Sequence, residues 1–270
     1  MLGIEMHCLS YPELFPLFDA WLANKSAPSR SIACVNVNCC VSALFDRRLR
    51  AIYNQADIAG MDGMPFVRWA RAFHYPAADR LYAPDLMLEV AAKAAEKGYT
   101  FFLYGGVPGA PERLQTYLTA QFPDLRVVGA FSPPFRPLSP AEDAEVCAMI
   151  QAAQPDFLWV GLGSPKQDLW IHDHRPKIRG SIMVAAGATF DFFSGRIKQA
   201  PPAIRSAGLE WLFRLALDFR RLWMRYTVYN AIFLAAFALQ LAGVARFRTA
   251  QEPADDGGQK DRQEEYGDLE

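Results

Sequence analysis

Short apolar runs alternate with amphipathic stretches from the first residues to about position 187. IACVNVN (32–38), YTFFLYG (99–105), DLRVVGAF (124–131), DFLWVGLG (156–163) and SIMVAAG (181–187) are apolar enough to predict mostly buried strands. Between them, apolar residues at helical spacing predict helices over 41–55, 85–97, 111–122, 140–153 and 165–175. Repeated β-then-α order with short connections predicts an α/β fold: a Rossmann-like, doubly wound, mostly parallel sheet with helices on both faces. Ser139-Pro140-x-Glu142 and Ser164-Pro165-x-Gln167 each offer a capping hydroxyl, a first-turn proline and a side chain able to reach back. In such sheets ligands sit beyond the carboxyl ends of the strands, where loops and positive helix N-termini converge. Residues that directly follow a strand are therefore the first candidates for chemistry.

Three segments qualify. GGVPG (105–109) follows the strand at 99–104 and carries Gly105 and Gly106. Its glycines suit either close approach of backbone N–H groups to a phosphate or a tight strand-to-helix turn. It is neither GxGxxG nor GxxxxGK[ST], so the dinucleotide and P-loop fingerprints are missing. LGSPKQDLW (162–170) offers Lys166 to a diphosphate and Gln167 to a base or sugar hydroxyl, while Gln167 also suits the capping box of its own helix. ADIAGMDG (56–63) reads as a short strand ending in Asp62-Gly63. That carboxylate can take a proton from an attacking hydroxyl if its environment raises its pKa, although an Asp-Gly turn is the more common explanation of such a pair.

The formal net charge of −1 hides a division. Residues 251–270 carry −6 and the remainder +5, and the acidic stretch lacks periodic apolar residues, so a disordered tail is expected over 249–270. Between Arg196 and Arg225 seven basic residues, among them Arg214, Arg221 and Arg225, meet only two acidic ones and are interleaved with Trp211, Phe213, Phe219 and Trp223. On one continuous helix, Trp211, Leu215, Phe219, Leu222 and Tyr226 would share a stripe, with the three arginines on another face. Such a helix suits a diphosphate or anionic headgroups. Nucleic acid is not expected, since no recognised module accompanies the charge. TVYNAIFLAAFALQLAGVARF (227–247) is barely long enough to cross a bilayer, and a monotopic helix or one covered in a homo-oligomer is equally open. Five cysteines without a CxxC pair, and no leader pattern, favour a reducing compartment. His172 and His174, two apart on a helix, read as surface histidines, and no metal is expected.

Taken in order, ADIAGMDG, RLYAPDLM (80–87), LYGGVPG, LGSPKQDLWI and the run from Phe190 to Tyr226 resemble the WecG/TagA/CpsF family of bacterial glycosyltransferases, glycosyltransferase family 26, from about Met1 to Gln240. The resemblance implies inverting, metal-independent and cofactor-free transfer from a UDP-sugar to a polyprenyl-diphosphate-linked sugar, for exopolysaccharide or other surface polysaccharide. The chain has no DxD motif, in agreement. The same resemblance makes Asp62 the candidate base. It places Asn38, Gly105, Gly106, Lys166 and Gln167 at the nucleotide-sugar pocket, and Arg80, Arg214, Arg221 and Arg225 at the acceptor diphosphate. Where many members read Thr-x-Asn, this chain has Asn36-Val37-Asn38, so an amide at Asn36 replaces a catalytic-site hydroxyl.

The implied organisation is a catalytic domain over 1–203, a membrane-associating helical appendage over 204–248 and the acidic tail. The implied location is the cytoplasmic face of the inner membrane, peripheral or monotopic. A catalytically inactive scaffold of the same fold and a Rossmann-type oxidoreductase are the competing expectations.

Overall fold

The computed structural model describes residues 1–73, 75–247 and 249, without the side chains of Ala95, Arg221 and Arg225. Apart from Thr249, the expected acidic tail lies outside the described residues. Six strands form one sheet: β1 (Arg30–Val35), β2 (Ile58–Met61), β3 (Thr100–Gly105), β4 (Arg126–Phe131), β5 (Phe157–Gly161) and β6 (Ile182–Ala185). Their order is β2-β1-β6-β5-β3-β4 and every pairing is parallel. All carboxyl ends therefore share one edge.

Alternation along the strands sends successive side chains to opposite faces. Phe101, Leu103, Phe157 and Trp159 bury against α1 (Tyr11–Leu22), α5 (Ala83–Lys97), α6 (Ala110–Gln121) and α9 (Gly187–Phe193). Phe102, Tyr104, Leu158 and Val160 bury on the other face against α7 (Pro140–Ala153) and α8 (Lys166–His174). Farther along that face, Ala33, Val35, Ala59 and Met61 meet α2 (Val37–Phe45), α3 (Arg47–Asn54) and α4 (Met64–Phe73). The doubly wound expectation holds, and each sequence-predicted strand is present.

Two boundaries differ from the sequence reading for identifiable reasons. The first strand stops at Val35 because the Asn36 side chain accepts a hydrogen bond from the Cys39 N–H and starts α2 there. The helix expected over 41–55 is two, because Asp46 ends α2 and caps α3 by accepting from the Leu49 N–H.

The C-terminal region departs further. After α10 (Pro202–Ser206), the continuous helix expected through Arg214 and Arg225 breaks at Asp218, giving α11 (Glu210–Leu217) and α12 (Phe219–Leu241). The single aromatic stripe is consequently lost: Leu222 is buried while Phe219 is 62% exposed. One side of α12 docks on the domain, where Phe233 and Ala236 are buried and Phe233 packs on Phe66 at 5.5 Å between ring centroids. The Leu2 N–H also donates to the Gln240 side chain at 3.0 Å.

Candidate active site

Asp62 stands one residue beyond β2 on the carboxyl edge, and its N–H donates to the Val35 carbonyl at 2.8 Å, which holds it beside the end of β1. Its side chain is 17% exposed. One carboxylate oxygen accepts from Arg80 Nη2 at 3.0 Å and the other from Asn36 Nδ2 at 3.3 Å. Arg80 Nε donates to the Asp62 main-chain carbonyl as well, so the arginine grips both parts of the residue. Burial pushes the Asp62 carboxyl above its ordinary range; Arg80 opposes that rise and nearby Glu210 adds to it. Asn36 does double duty, since its Oδ1 caps α2 while its Nδ2 meets the carboxylate.

Sequence reasoning missed the far side of this cluster. Arg80 Nη2 also donates to Glu210 Oε2 at 3.0 Å, from the first turn of α11. The other oxygen of Glu210 accepts from the Tyr82 hydroxyl at 2.8 Å, and Gln199 Nε2 donates to that hydroxyl at 3.1 Å. The guanidinium of Arg80 lies 4.0 Å from the centre of the Tyr82 ring. Arg80, expected at the acceptor diphosphate, is thus already held between two carboxylates.

Farther along the same edge lie the turns after β3 and β5. Gly105 has φ +124°, and a Cβ there would sit 2.6 Å from the Gly161 carbonyl carbon, so the close approach of the two chains requires glycine. The Gly106 N–H donates to the Gly161 carbonyl at 2.9 Å, and Ser132 Oγ donates to the Gly106 carbonyl at 2.8 Å. Gln167 is buried, and its Oε1 accepts from the Gly163 N–H at 3.0 Å instead of completing a box with Ser164. Ser164 Oγ turns inward instead, 3.4 Å from the Tyr53 hydroxyl and 3.9 Å from Cys39 Sγ. That contact joins the β5 turn to α2, the helix that Asn36 caps. Lys166 is exposed at the start of α8, 5.3 Å from the ring of Phe135. Asn38 is half-buried in the first turn of α2.

Asp168, beneath the Gln167 turn, is buried and accepts from the Tyr53 hydroxyl at 3.3 Å. Burial pushes it up from 3.8 to about 6. A carboxyl whose folded pKa is raised stabilises the fold while protonated, and that contribution is lost as pH rises through about 6. The rise from 3.8 to about 6 is worth about 3 kcal/mol. Asp168→Asn is therefore expected to melt higher than the unchanged protein above pH 6, with the difference vanishing toward pH 4. Thermal melts across that range check it.

Arg214 is placed elsewhere, in an open cleft of about 260 Å³ lined by Arg196, Lys198, Leu217, Asp218 and Leu222. Its guanidinium lies 5.5 Å from the Phe192 ring. The Arg221 and Arg225 side chains lie outside the described residues. His174, expected at the surface, is buried: packing of α7 on α8 brings its Nε2 to 2.7 Å from Asp143, while its ring stacks on Trp170. Asp143, Cys147 and His174 bring three ligand-type atoms within 4.8 Å of one another, but Lys177 at 3.1 Å and His174 already engage the carboxylate.

The model for the glycosyl transferase WecG/TagA/CpsF family matches residues 1–246. Similar curated proteins include those of Staphylococcus aureus strains NCTC 8325 / PS 47, COL and N315, each named N-acetylglucosaminyldiphosphoundecaprenol N-acetyl-beta-D-mannosaminyltransferase. Each is 26% identical over 222 residues, covering 82% of this chain and 85% of its own length.

Proposed function

Because this chain belongs to the WecG/TagA/CpsF family of glycosyltransferases, we propose that it moves a sugar, with inversion, from a UDP-sugar to a sugar carried on a polyprenyl diphosphate, for bacterial exopolysaccharide or another surface polysaccharide. The observation that carries the proposal is Asp62: a secluded carboxylate of raised pKa on the same sheet edge as the Gly105-Gly106 and Gly163-Gln167 turns. Asp62 takes the proton of the acceptor hydroxyl as its oxygen bonds to the anomeric carbon. The bond from that carbon to the UDP oxygen breaks, and its electron pair leaves with the diphosphate. Backbone N–H groups at the start of α6 and α8, with Lys166, meet the charge that develops there. Asn36 orients the carboxylate, and Asn38 serves the donor's sugar or ribose.

The acceptor is lipid-linked, so the enzyme must reach the bilayer. Leu212, Leu217, Phe219, Trp223, Met224 and Leu234 are exposed along α11 and α12, among the basic residues of the same segment. Leu222–Leu241 is long and apolar enough to cross a membrane. Its docked face, with Phe233 and Ala236 buried against the domain, favours a helix lying on the cytoplasmic surface of the inner membrane. Arg214, Arg221 and Arg225 serve the acceptor diphosphate or anionic headgroups.

The relatives' names specify an N-acetylmannosaminyl group and an N-acetylglucosaminyl-diphosphate lipid. The test is a panel of UDP-sugars, UDP-N-acetylmannosamine included, offered with a short-chain polyprenyl-diphosphate-N-acetylglucosamine acceptor. A disaccharide-lipid product, with binding of UDP but not NAD, is the expected result. Binding of NAD in place of UDP would return the oxidoreductase reading. Binding of UDP without transfer from any donor would favour the inactive scaffold.

A further inference from the structure

The basic residue beside Asp62 is shared, and its second partner comes from the C-terminal helices. Arg80 Nη2 stands 3.0 Å from both an Asp62 oxygen and a Glu210 oxygen. Glu210 is 8% exposed, and its other oxygen is fixed by Tyr82, which Gln199 holds in turn. Every part of the domain side of this network lies before α10, whereas Glu210 enters only when α11 is seated.

An arginine between two carboxylates neutralises neither fully. With Glu210 removed, the same guanidinium is free to pair with Asp62 alone, and a carboxylate so paired is a poorer proton acceptor. We propose that Glu210 is a positioning residue that shares the charge of Arg80 with Asp62, so that seating α11 and arming the base are one event. This rests on the reading of Asp62 as base. It goes further in assigning the C-terminal helices a direct electrostatic effect on the reacting carboxylate, in addition to any contact with the lipid.

Among the described residues, the charged and titratable groups around the pair are few. Arg80, Tyr82 and Glu210 face Asp62 or its partner, the Tyr11 hydroxyl donates to the Arg80 carbonyl, Cys34 is near enough to feel the Asp62 charge, and Arg205, paired with Asp85, has its guanidinium 5.7 Å from the Tyr82 ring. Burial raises Asp62, Arg80 lowers it, and Glu210 raises it again, in the direction the proposal needs.

The test is the pH profile of turnover for the full chain and for Glu210→Gln, Glu210→Asp and Tyr82→Phe, with Asp62→Asn alongside. Since the base works only when deprotonated, turnover rises with pH through the Asp62 pKa. Glu210→Gln is expected to move that acid limb down by about one pH unit and to lower the plateau about threefold, with donor KM unchanged. Glu210→Asp, which keeps the charge, is expected to recover most of both.

A Glu210→Gln protein that loses activity with its limb unmoved would overturn the proposal, because a merely structural role predicts that pattern. Should that variant not fold, Tyr82→Phe decides: it loosens Glu210 while keeping its charge, and the limb is expected to move the same way by less. An unmoved limb there counts against the coupling. Full activity in Asp62→Asn would instead remove the base reading itself, a distinguishable outcome.

Discussion

Asp62→Asn is expected to lower turnover by about 10²- to 10⁴-fold, the usual contribution of a positioned general base, while the protein folds and binds UDP as before. The amide is the same shape as the carboxylate and can still accept from Arg80 Nη2 or Asn36 Nδ2. It also ends the burial of a charge, so a loss of stability is not expected. The effect should therefore fall on kcat, with donor KM unchanged. Steady-state kinetics at saturating acceptor, together with UDP titration, check it. A variant that keeps its turnover would remove Asp62 from the reaction.

The second large effect concerns the membrane. Replacing Phe219, Trp223 and Met224 together by serine is expected to reduce binding to vesicles containing anionic lipid by at least about 100-fold. Each large apolar side chain moved out of water contributes about 1.5–3 kcal/mol when fully buried, and insertion at an interface recovers part of that. All three are exposed, at 62%, 42% and 55%, so their loss leaves the docked face of α12 intact. Transfer to a water-soluble acceptor analogue should survive while transfer to the lipid-linked acceptor falls. Vesicle co-sedimentation of the two proteins is the measurement. Unchanged sedimentation would place the attachment elsewhere on the chain.

These two expectations draw on different levels of legibility. The sheet could be read from the chain because buried parallel strands are continuous apolar runs, and SPAED at 139–143 formed the capping box its residues promise, with Ser139 and Glu142 exchanging hydrogen bonds. Asp62 and the glycine turns were placed because strand ends are local features. Glu210 escaped because an acidic residue in the first turn of a helix already has a local explanation in the helix dipole. Its burial against Arg80 and Tyr82 depends on α11 folding back across about 130 residues of chain.

The break at Asp218 escaped for a related reason. LALDFRR contains neither proline nor glycine, and the docking of α12 on α2 and α4 that follows the turn lies far away in the chain. His174 follows the same logic, since two histidines at i and i+2 look solvated until α7 supplies Asp143. In each case the missing information was which distant element packs on a locally ordinary residue.

For the proposed transfer, the Asp62 carboxylate and the turns after β3 and β5 must serve one cleft. A structure of the protein with UDP bound tests it most directly. The diphosphate is expected at the Gly105-Gly106 turn and the start of α8, with its sugar-bearing end directed toward the side of the cleft where Asp62 stands. UDP seated elsewhere, such as the cleft lined by Arg196 and Arg214, or turned so that Asp62 cannot face the anomeric carbon, would contradict it.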